Sequence, residues 1–286
     1  MRKRDRKIRR LQGVLLWTLL LGSLVGCAGT GGRADSAMGI PAGSLHLAGS
    51  SSMEKMTDAL AERFMEHYPE VTVTVQFTGS SAGIEAVAEG NADIGNSSRN
   101  LTAQERDRGV TGCVVALDGI ALCVDGANPV TGITGQQLAD IYTGKITNWS
   151  SLGGGDVPIV LIGREAGSGT REAFEELLGI SGQCPYANEL DSTGAVLARI
   201  ASTPGAIGYV SFEVLEEPAV HPLALDGIAP TPENVRTGKY PLSRPFLMVI
   251  RGEPAAQSNL VRLWFRFLAG QEGQDILERT GLVAAD

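Results

Sequence analysis

Residues 163–175 read GREAGSGTREAFE, a glycine- and serine-rich turn between a predicted strand and a predicted helix. The apolar run from Val157 to Ile162 predicts a buried strand, and the amphipathic residues after Thr170 predict the helix. Similar serine-bearing turns follow other predicted strands at residues 50–52, 80–81 and 97–98. Alternating strands and helices predict an α/β fold, with a parallel or mixed sheet and helices on both faces.

The turn after Ile162 also has the composition of an anion site. Gly167 and Gly169 carry no Cβ, so the backbone can approach a ligand closely. Ser168 and Thr170 add hydroxyl groups, and the first turn of a helix adds unpaired N–H donors. Arg164 offers a planar fork that suits a tetrahedral oxyanion. The segment contains no Lys, which excludes the phosphate loop of nucleotide-binding proteins, while a turn that binds nothing is the alternative.

The four serine-bearing turns are expected to share one site. In open α/β folds, ligands bind beyond the carboxyl ends of the strands, where the helix N-termini point. We therefore expect the turns to converge on one small anion. The alternative for each serine alone is an ordinary helix cap.

The first 43 residues predict export and a membrane anchor. Seven Lys/Arg and one Asp fill the first ten residues, and Leu11 to Gly26 is uncharged and apolar, which is typical of a signal peptide over residues 1–26. Small residues before Cys27 indicate a lipoprotein signal, with lipid on its sulfur; a plain secretory peptide is the alternative. Residues 27–43 are rich in Gly, Ala and Ser and predict a flexible tether.

Removal of the signal peptide leaves an acidic protein. The formal net charge falls from −8 to −14, because the segment 1–26 holds seven positive charges and one negative charge. An acidic body argues against a nucleic-acid partner and against long-range electrostatic attraction of anions. Any anion must therefore be held by local dipoles and one or two Arg side chains.

Cysteine and histidine placement predicts neither a metal site nor a cofactor. His46, His67 and His221 are scattered, and no CxxC motif occurs. Cys113, Cys123 and Cys184 remain after Cys27, and an exported protein can form disulfides. Cys113 and Cys123 could pair, but their spacing leaves this open.

A serine hydrolase is the alternative from another functional class. Residues 79–83 fit the nucleophile motif G-x-S-x-G with Ser81 at its centre. Asp191 and His221 are the acid and the histidine that could complete a triad, but only their presence later in the chain supports this. The hydrolase alternative also gives Arg164 no role. We therefore expect a binding protein rather than an enzyme.

The chain resembles the phosphate-binding lipoproteins of ABC-type phosphate importers. R-x-x-G-S-G-T and Y-P-L-S-R-P are the most specific motifs, and the match covers nearly the whole mature chain in the family's order. The segments that carry it are GSSSM (49–53), TGSSAG (78–83), NSSRNL (96–101), IYTGKITNW (141–149), REAGSGTREAF (164–174), GAIGYV (205–210) and YPLSRPF (240–246).

The resemblance implies a two-lobed periplasmic-binding-protein fold of type II, with two crossover strands and the ligand in the cleft between the lobes. One lobe would contain residues 44–123 and 213–286, and the other residues 124–212. The lobes would close over inorganic phosphate outside the cytoplasmic membrane, and the closed form would dock on the importer's permease subunits. A receptor for another tetrahedral oxyanion, sulfate or molybdate, is the alternative.

The motif positions also imply site residues. Ser51 and Ser52 would hold the anion through hydroxyl and backbone N–H groups, and Ser80 would add its hydroxyl. The other lobe would contribute four residues of the turn: Arg164, Ser168, Gly169 and Thr170. Arg99 and Arg171 lie beside these motifs and are secondary candidates.

Two departures from the family pattern affect the expected site. Longer family members carry, after the third strand, an Asp that accepts a hydrogen bond from protonated phosphate, and Ser98 occupies that position here. Our hypothesis is that Asp118 supplies this acceptor, with a turn-capping Asp as the alternative. Ala166 replaces the family's Asp within the arginine loop, so another group must orient Arg164, and Glu165 is the candidate.

Overall fold

The computed structural model describes residues 41–215 and 218–285. They belong to one compact unit, and the predicted signal peptide, Cys27 and most of the predicted tether lie outside them. Within the described ranges, no helix combines the length and the apolar character needed to cross a membrane. The strands are β1 (Gly43–Gly49), β2 (Val71–Gln76), β3 (Ile94–Ser97), β4 (Val110–Asp125), β5 (Gly132–Ile133), β6 (Val160–Arg164), β7 (Asn188–Leu190), β8 (Ala206–Ser211), β9 (Val220–Pro222), β10 (Ala224–Leu225), β11 (Ser243–Arg251) and β12 (Val283–Ala284). The helices are α1 (Glu54–His67), α2 (Ser80–Glu89), α3 (Ala103–Asp107), α4 (Gly135–Tyr142), α5 (Gly169–Leu178), α6 (Thr193–Ala201), α7 (Pro232–Arg236), α8 (Asn259–Ala269) and α9 (Gln271–Arg279).

Most strands form one mixed sheet, which confirms the predicted α/β class. Its order is β2-β1-β3-β11-β4-β8-β6-β7, and β12 and β9 also pair with β4. The parallel pairs are β1 with β2 and β3, and β6 with β7 and β8. Both β11 and β8 run antiparallel to β4. The parallel strands therefore lie in two groups, one on each side of the β11–β4 pair.

Strand β4 is continuous through Asp118 and Gly119, so the alternative of a turn-capping Asp118 is wrong. β11 pairs with β4 up to Gly119, and β8 pairs with it from Ile120 onward. The two partners together leave no gap in the pairing at Asp118, Gly119 and Ile120, and this overrides the turn preference of an Asp-Gly sequence. Gly119 has a packing role instead, because a Cβ there would lie 2.1 Å from the Phe212 ring.

Buried apolar side chains form two large clusters, and β4 contributes to both. The first cluster contains Phe64 and Trp264 and takes Val115 and Ala116 from β4. The second cluster takes residues 120–124 from β4 and packs them against α4, α5, α6 and β8. Two neighbouring parts of one strand thus belong to different hydrophobic cores.

The local predictions were confirmed where a serine caps a helix. Ser50 caps a short turn over Ser51–Met53 that leads into α1, and Ser168 caps α5. The third serine-bearing turn also lies between a strand and a helix, but its serines do not cap that helix: Ser97 ends β3, Ser98 lies in a bend, and Thr102 caps α3 in a capping box with Glu105. The sequence reading also missed the β7–α6 unit, because a strand of three residues is too short to show a period.

The described cysteines are free thiols. Cys113, Cys123 and Cys184 are all unpaired. Cys113 and Cys123 lie on β4, and ten residues of strand separate their Cα atoms by roughly 33 Å. A disulfide requires less than about 7 Å, so the pairing considered from the sequence is excluded within one molecule.

Candidate anion-binding site

Serine-capped helix starts face one another at the carboxyl ends of the parallel strands. Ser50 follows β1 and accepts a hydrogen bond from the Ser52 N–H at 3.2 Å. Ser168 caps α5 after β6, and Ser192 caps α6 after β7. Each cap satisfies one N–H of its helix and leaves other first-turn N–H groups available to a ligand.

Three hydroxyl groups from these turns meet in the interior. Ser52 Oγ lies 2.6 Å from Thr170 Oγ1 and 2.8 Å from Thr193 Oγ1. Ser51 Oγ accepts a hydrogen bond from the Thr193 N–H at 3.2 Å. These side chains are buried. The turn after β1 therefore contacts the starts of both α5 and α6.

Ser80 and Ser98 extend this group of hydroxyls. The Ser98 N–H donates to Ser80 Oγ at 3.1 Å, and the two Oγ atoms are 3.3 Å apart. Ser50 Oγ donates to Ser98 Oγ at 2.8 Å. A Cβ at Gly169 would lie only 2.2 Å from Ser80 Oγ. Glycine at this position lets the start of α5 approach the two serines.

The Arg164 side chain is held by the β7–α6 connection. Its Nε donates to the Leu190 carbonyl at 3.1 Å, and its Nη2 donates to the Asp191 carbonyl at 2.9 Å. Its Nη1 donates to Thr193 Oγ1 at 3.2 Å. Two backbone carbonyls thus orient the guanidinium, a role for which the sequence had suggested Glu165. Burial lowers the pKa of Arg164, but a guanidinium stays protonated at neutral pH.

The Arg164 backbone is fixed by a ring of hydrogen bonds. Its N–H donates to Tyr209 Oη at 3.2 Å, Tyr209 donates to Tyr186 Oη at 3.1 Å, and Tyr186 donates to Glu175 Oε1 at 3.0 Å. Arg171 closes the ring, because its Nε donates to Glu175 and its Nη1 donates to the Arg164 carbonyl, both at 2.9 Å. Arg171 therefore supports Arg164 from behind.

Asp118 is fully buried and accepts four hydrogen bonds from protein groups. Oδ1 accepts from Ser211 Oγ at 2.9 Å and from the Phe212 N–H at 3.1 Å. Oδ2 accepts from Arg244 Nε at 3.0 Å and Nη2 at 2.8 Å. Burial raises the pKa of Asp118, and Arg244 opposes that shift. Since a carboxylate has about four lone-pair positions, these contacts favour a supporting role over direct contact with an anion.

Two residues join the site that the sequence reading did not select. Thr193 contacts Ser52 and Arg164, and Arg244 Nη1 donates to the Ser98 carbonyl at 3.2 Å. Thr193 follows Ser192 in another serine-bearing turn between strand and helix, so the same pattern could have identified it. Arg244 lies in the YPLSRP motif, whose role the sequence left unassigned.

The residues named in the hydrolase alternative have other partners. Ser81 Oγ donates to Glu172 at 3.1 Å and accepts from Arg99 Nη2 at 3.0 Å. His221 lies on β9, and its Nε2 is 3.0 Å from the Val130 carbonyl. The proposed nucleophile is therefore not paired with the histidine. In the described part of the chain, no group of three or more His, Cys, Asp or Glu side chains could hold a metal ion.

Comparisons with known proteins agree on one family. A profile described as a PBP superfamily domain matches residues 36–272. The phosphate-binding protein PstS of Bacillus subtilis is 39% identical over 73% of this chain and 71% of its own length. PstS of Borreliella burgdorferi is 27% identical over 83% of this chain and 88% of its own length.

Solved structures give the same result. A phosphate ABC transporter substrate-binding protein from Clostridium perfringens, solved with bound phosphate, aligns with a TM-score of 0.82 and 38% identity. The alignment covers 85% of this chain and all of that chain (100%). An ABC-type phosphate transport receptor from Vibrio cholerae aligns with a TM-score of 0.71 and 33% identity, over 84% of this chain and 100% of that chain.

Proposed function

The chain belongs to the PBP (periplasmic-binding-protein) superfamily, and we propose that it binds inorganic phosphate outside the cytoplasmic membrane and delivers it to an ABC-type importer. The relatives above are phosphate-binding proteins and phosphate transport receptors, and they match this chain over most of its length. The protein acts by binding and release, without catalysis.

One observation carries this proposal: the Ser52, Thr170 and Thr193 hydroxyls meet in the interior beside the Arg164 guanidinium. Hydroxyls and helix N-termini are neutral donors, and Arg164 adds one positive charge in a planar fork. This set suits a tetrahedral oxyanion in a protein whose net charge repels anions at long range.

The proposed phosphate site takes its donors from both sides of β4. Ser51, Ser52, Ser80 and Ser98 approach from the side of the first cluster. The residues on the side of the second cluster are Arg164, Ser168, Gly169 and Thr170. We add Thr193, at the start of α6, to this group. Asp118 acts on the site indirectly. Its carboxylate accepts a hydrogen bond from Arg244, which also donates to the Ser98 carbonyl.

We place the two lobes around the two hydrophobic clusters. Residues 44–123 and the C-terminal part of the chain would form one lobe, and residues from 124 onward the other. Leu223, Leu225, Val235 and Tyr240 pack in the second cluster, so the second lobe would extend beyond the predicted limit of residue 212. The segment 243–251 then returns to the first lobe as β11.

The proposed location follows from the family and from the N-terminal sequence. PstS-like substrate-binding proteins are extracytoplasmic. Residues 1–26 would be the signal peptide, and a lipid on Cys27 would hold the domain at the membrane through the tether 27–43. The permease subunits of the importer would be its protein partners.

Calorimetry of the purified protein without residues 1–26 tests the function, with phosphate, sulfate and molybdate titrated in turn. We expect phosphate to bind most tightly. Arg164→Lys keeps the charge but loses the fork, so it should weaken phosphate binding about tenfold or more. Arg199→Lys, on the exposed face of α6, is the matched control and should bind as the wild type does. Tight sulfate binding without phosphate binding would refute the proposal.

A further inference from the structure

The hydroxyl groups of the proposed phosphate site have no carboxylate partner. Among the described residues, no Asp or Glu side chain hydrogen-bonds to the Oγ or Oγ1 atoms of Ser50, Ser52, Ser98, Thr170 or Thr193; these hydroxyls bond to one another, to backbone N–H groups and to Arg164. Given the proposed function, we propose that Ser98 Oγ is the atom that accepts the hydrogen bond from the P–OH group of bound phosphate, which keeps its proton. The hydrogen-bond acceptor for protonated phosphate is then a hydroxyl group instead of a carboxylate.

The nearby acids are already engaged. Asp118 accepts four hydrogen bonds, and the Arg244 side chain lies between its carboxylate and Ser98. Glu172 pairs with Arg99 and accepts from Ser81. Glu213 accepts from the Met56 N–H near the start of α1 at 3.3 Å. Asp118 thus has no acceptor position left for a phosphate P–OH group, and Glu172 and Glu213 bond to groups other than the hydroxyls of the site.

Ser98 has the hydrogen-bonding capacity for the role. Its Oγ accepts one hydrogen bond, from Ser50, and its own O–H can point to Ser80 Oγ, 3.3 Å away. A hydroxyl has two lone pairs, so one acceptor position remains. That oxygen also faces the start of α5, since a Cβ at Gly169 would lie 2.8 Å from it. It is therefore next to helix N–H groups that would hold the same anion.

A hydroxyl acceptor at this position predicts weaker discrimination between phosphate and sulfate than a carboxylate would give. A carboxylate only accepts, so it repels fully ionised sulfate, which has no proton to offer. A hydroxyl can rotate and donate to a sulfate oxygen instead. Sulfate should therefore compete measurably with phosphate in the wild-type protein, and the ligand class widens to tetrahedral oxyanions with or without a proton.

The test measures phosphate and sulfate dissociation constants for the wild type, Ser98→Asp and Asp118→Asn by calorimetry. We expect Ser98→Asp to raise the preference for phosphate over sulfate by at least about tenfold, because the new carboxylate repels sulfate. Asp118→Asn disturbs Arg244 and can weaken the binding of both anions, but it should not abolish the preference for phosphate. Circular dichroism establishes that each variant is folded.

The outcomes separate this inference from the proposed function. If the wild type does not bind phosphate, the function itself is wrong. If it binds phosphate but Asp118→Asn removes the preference, or a folded Ser98→Asp leaves the preference unchanged, Ser98 does not accept the hydrogen bond from phosphate. Should Ser98→Asp fail to fold, Ser98→Ala replaces it: a phosphate affinity about tenfold lower supports the inference, and an unchanged affinity overturns it.

Discussion

Arg99 and Glu172 form an ion pair, with 2.6 Å between Arg99 Nε and Glu172 Oε2. Arg99 follows β3 and is anchored on its own side by Glu105, while Glu172 lies in the first turn of α5. The Ser81 N–H also donates to the Gly167 carbonyl at 3.1 Å. These contacts join the edges of the proposed cleft directly above the anion site.

The pair should slow phosphate release. Glu172→Gln removes the charge and keeps the shape, so the closed form loses an ion pair that is exposed on one side. Such pairs contribute up to about 1 kcal/mol, which corresponds to release that is faster by roughly two- to fivefold. Stopped-flow measurement of phosphate release at low salt checks this.

Glu176→Gln is the matched control, since it removes one charge from the exposed face of the same helix. It should leave the release rate unchanged. The difference between the two variants should shrink as salt is added, because screening weakens the pair. Equal rates for both variants at low salt would contradict a role for the pair in closure.

Gly169→Ala should weaken phosphate binding. The added Cβ would lie 2.2 Å from Ser80 Oγ and 2.8 Å from Ser98 Oγ, so the start of α5 must move away from both serines. Overpacking of this kind costs about 1–3 kcal/mol, equivalent to binding weaker by roughly 5- to 150-fold. Calorimetry with phosphate measures the change.

Gly194→Ala provides the comparison for this variant. Gly194 lies in the first turn of α6, where an added Cβ has no neighbour within 4 Å. It should bind phosphate as the wild type does. If the two glycine variants behave alike, the close approach of α5 to the serines is not what limits the site.

The three thiols of the described residues should differ in reactivity. Burial raises the pKa of Cys123 to about 12 and of Cys184 to about 11, and Cys123 is fully buried. The thiolate is the reactive form, so Cys123 should be labelled only after denaturation. Mass spectrometry of alkylated peptides from native and denatured protein shows this; rapid native labelling of Cys123 would contradict the packing of β4.

Glu105 should stabilise the protein in a pH-dependent way. Burial alone would raise its pKa, but hydrogen bonds from Arg99 and Thr102 lower it below the ordinary value. The stabilisation is therefore complete above the unfolded-state pKa, about 4.3, and is lost as the pH falls through the lower folded-state pKa. Glu105→Gln should lower the free energy of unfolding by about 1–3 kcal/mol at pH 7, and by much less near pH 3.

Urea denaturation at the two pH values measures this difference. Glu253→Gln, at an exposed position, is the control and should have little effect at either pH. A constant difference for Glu105→Gln across the pH range would mean that its ionised form makes no special contribution.

The sequence predicted the features that depend on neighbouring residues. Serine caps, strand periodicity and the turn at residues 163–175 are local signals, and they identified most helix starts around the site. Arg164 could be selected because its turn combines several such signals. The same local signal did not show that Ser97 and Ser98 leave the cap of α3 to Thr102, since a pair of serines after a strand also resembles a helix cap.

Contacts between distant segments could not be predicted. Ser52 meets Thr193 across 141 residues, and Arg244 meets Ser98 across 146. The role of Asp118 also depended on a remote partner, because Arg244 is 126 residues away. An Asp-Gly pair favours a turn by its local preference. Here β11 pairs with both residues, and β8 continues the pairing from Ile120.

Strand β4 makes the two hydrophobic clusters mechanically inseparable. Val115 and Ala116 pack in one core and residues 120–124 pack in the other, with no linker between them. A fragment that lacks β4 would lose a central strand of its hydrophobic core. We therefore expect that neither core folds as a separate fragment. The same continuity makes a single cooperative melting transition the expected calorimetric behaviour of the whole domain, even though its interior is divided in two.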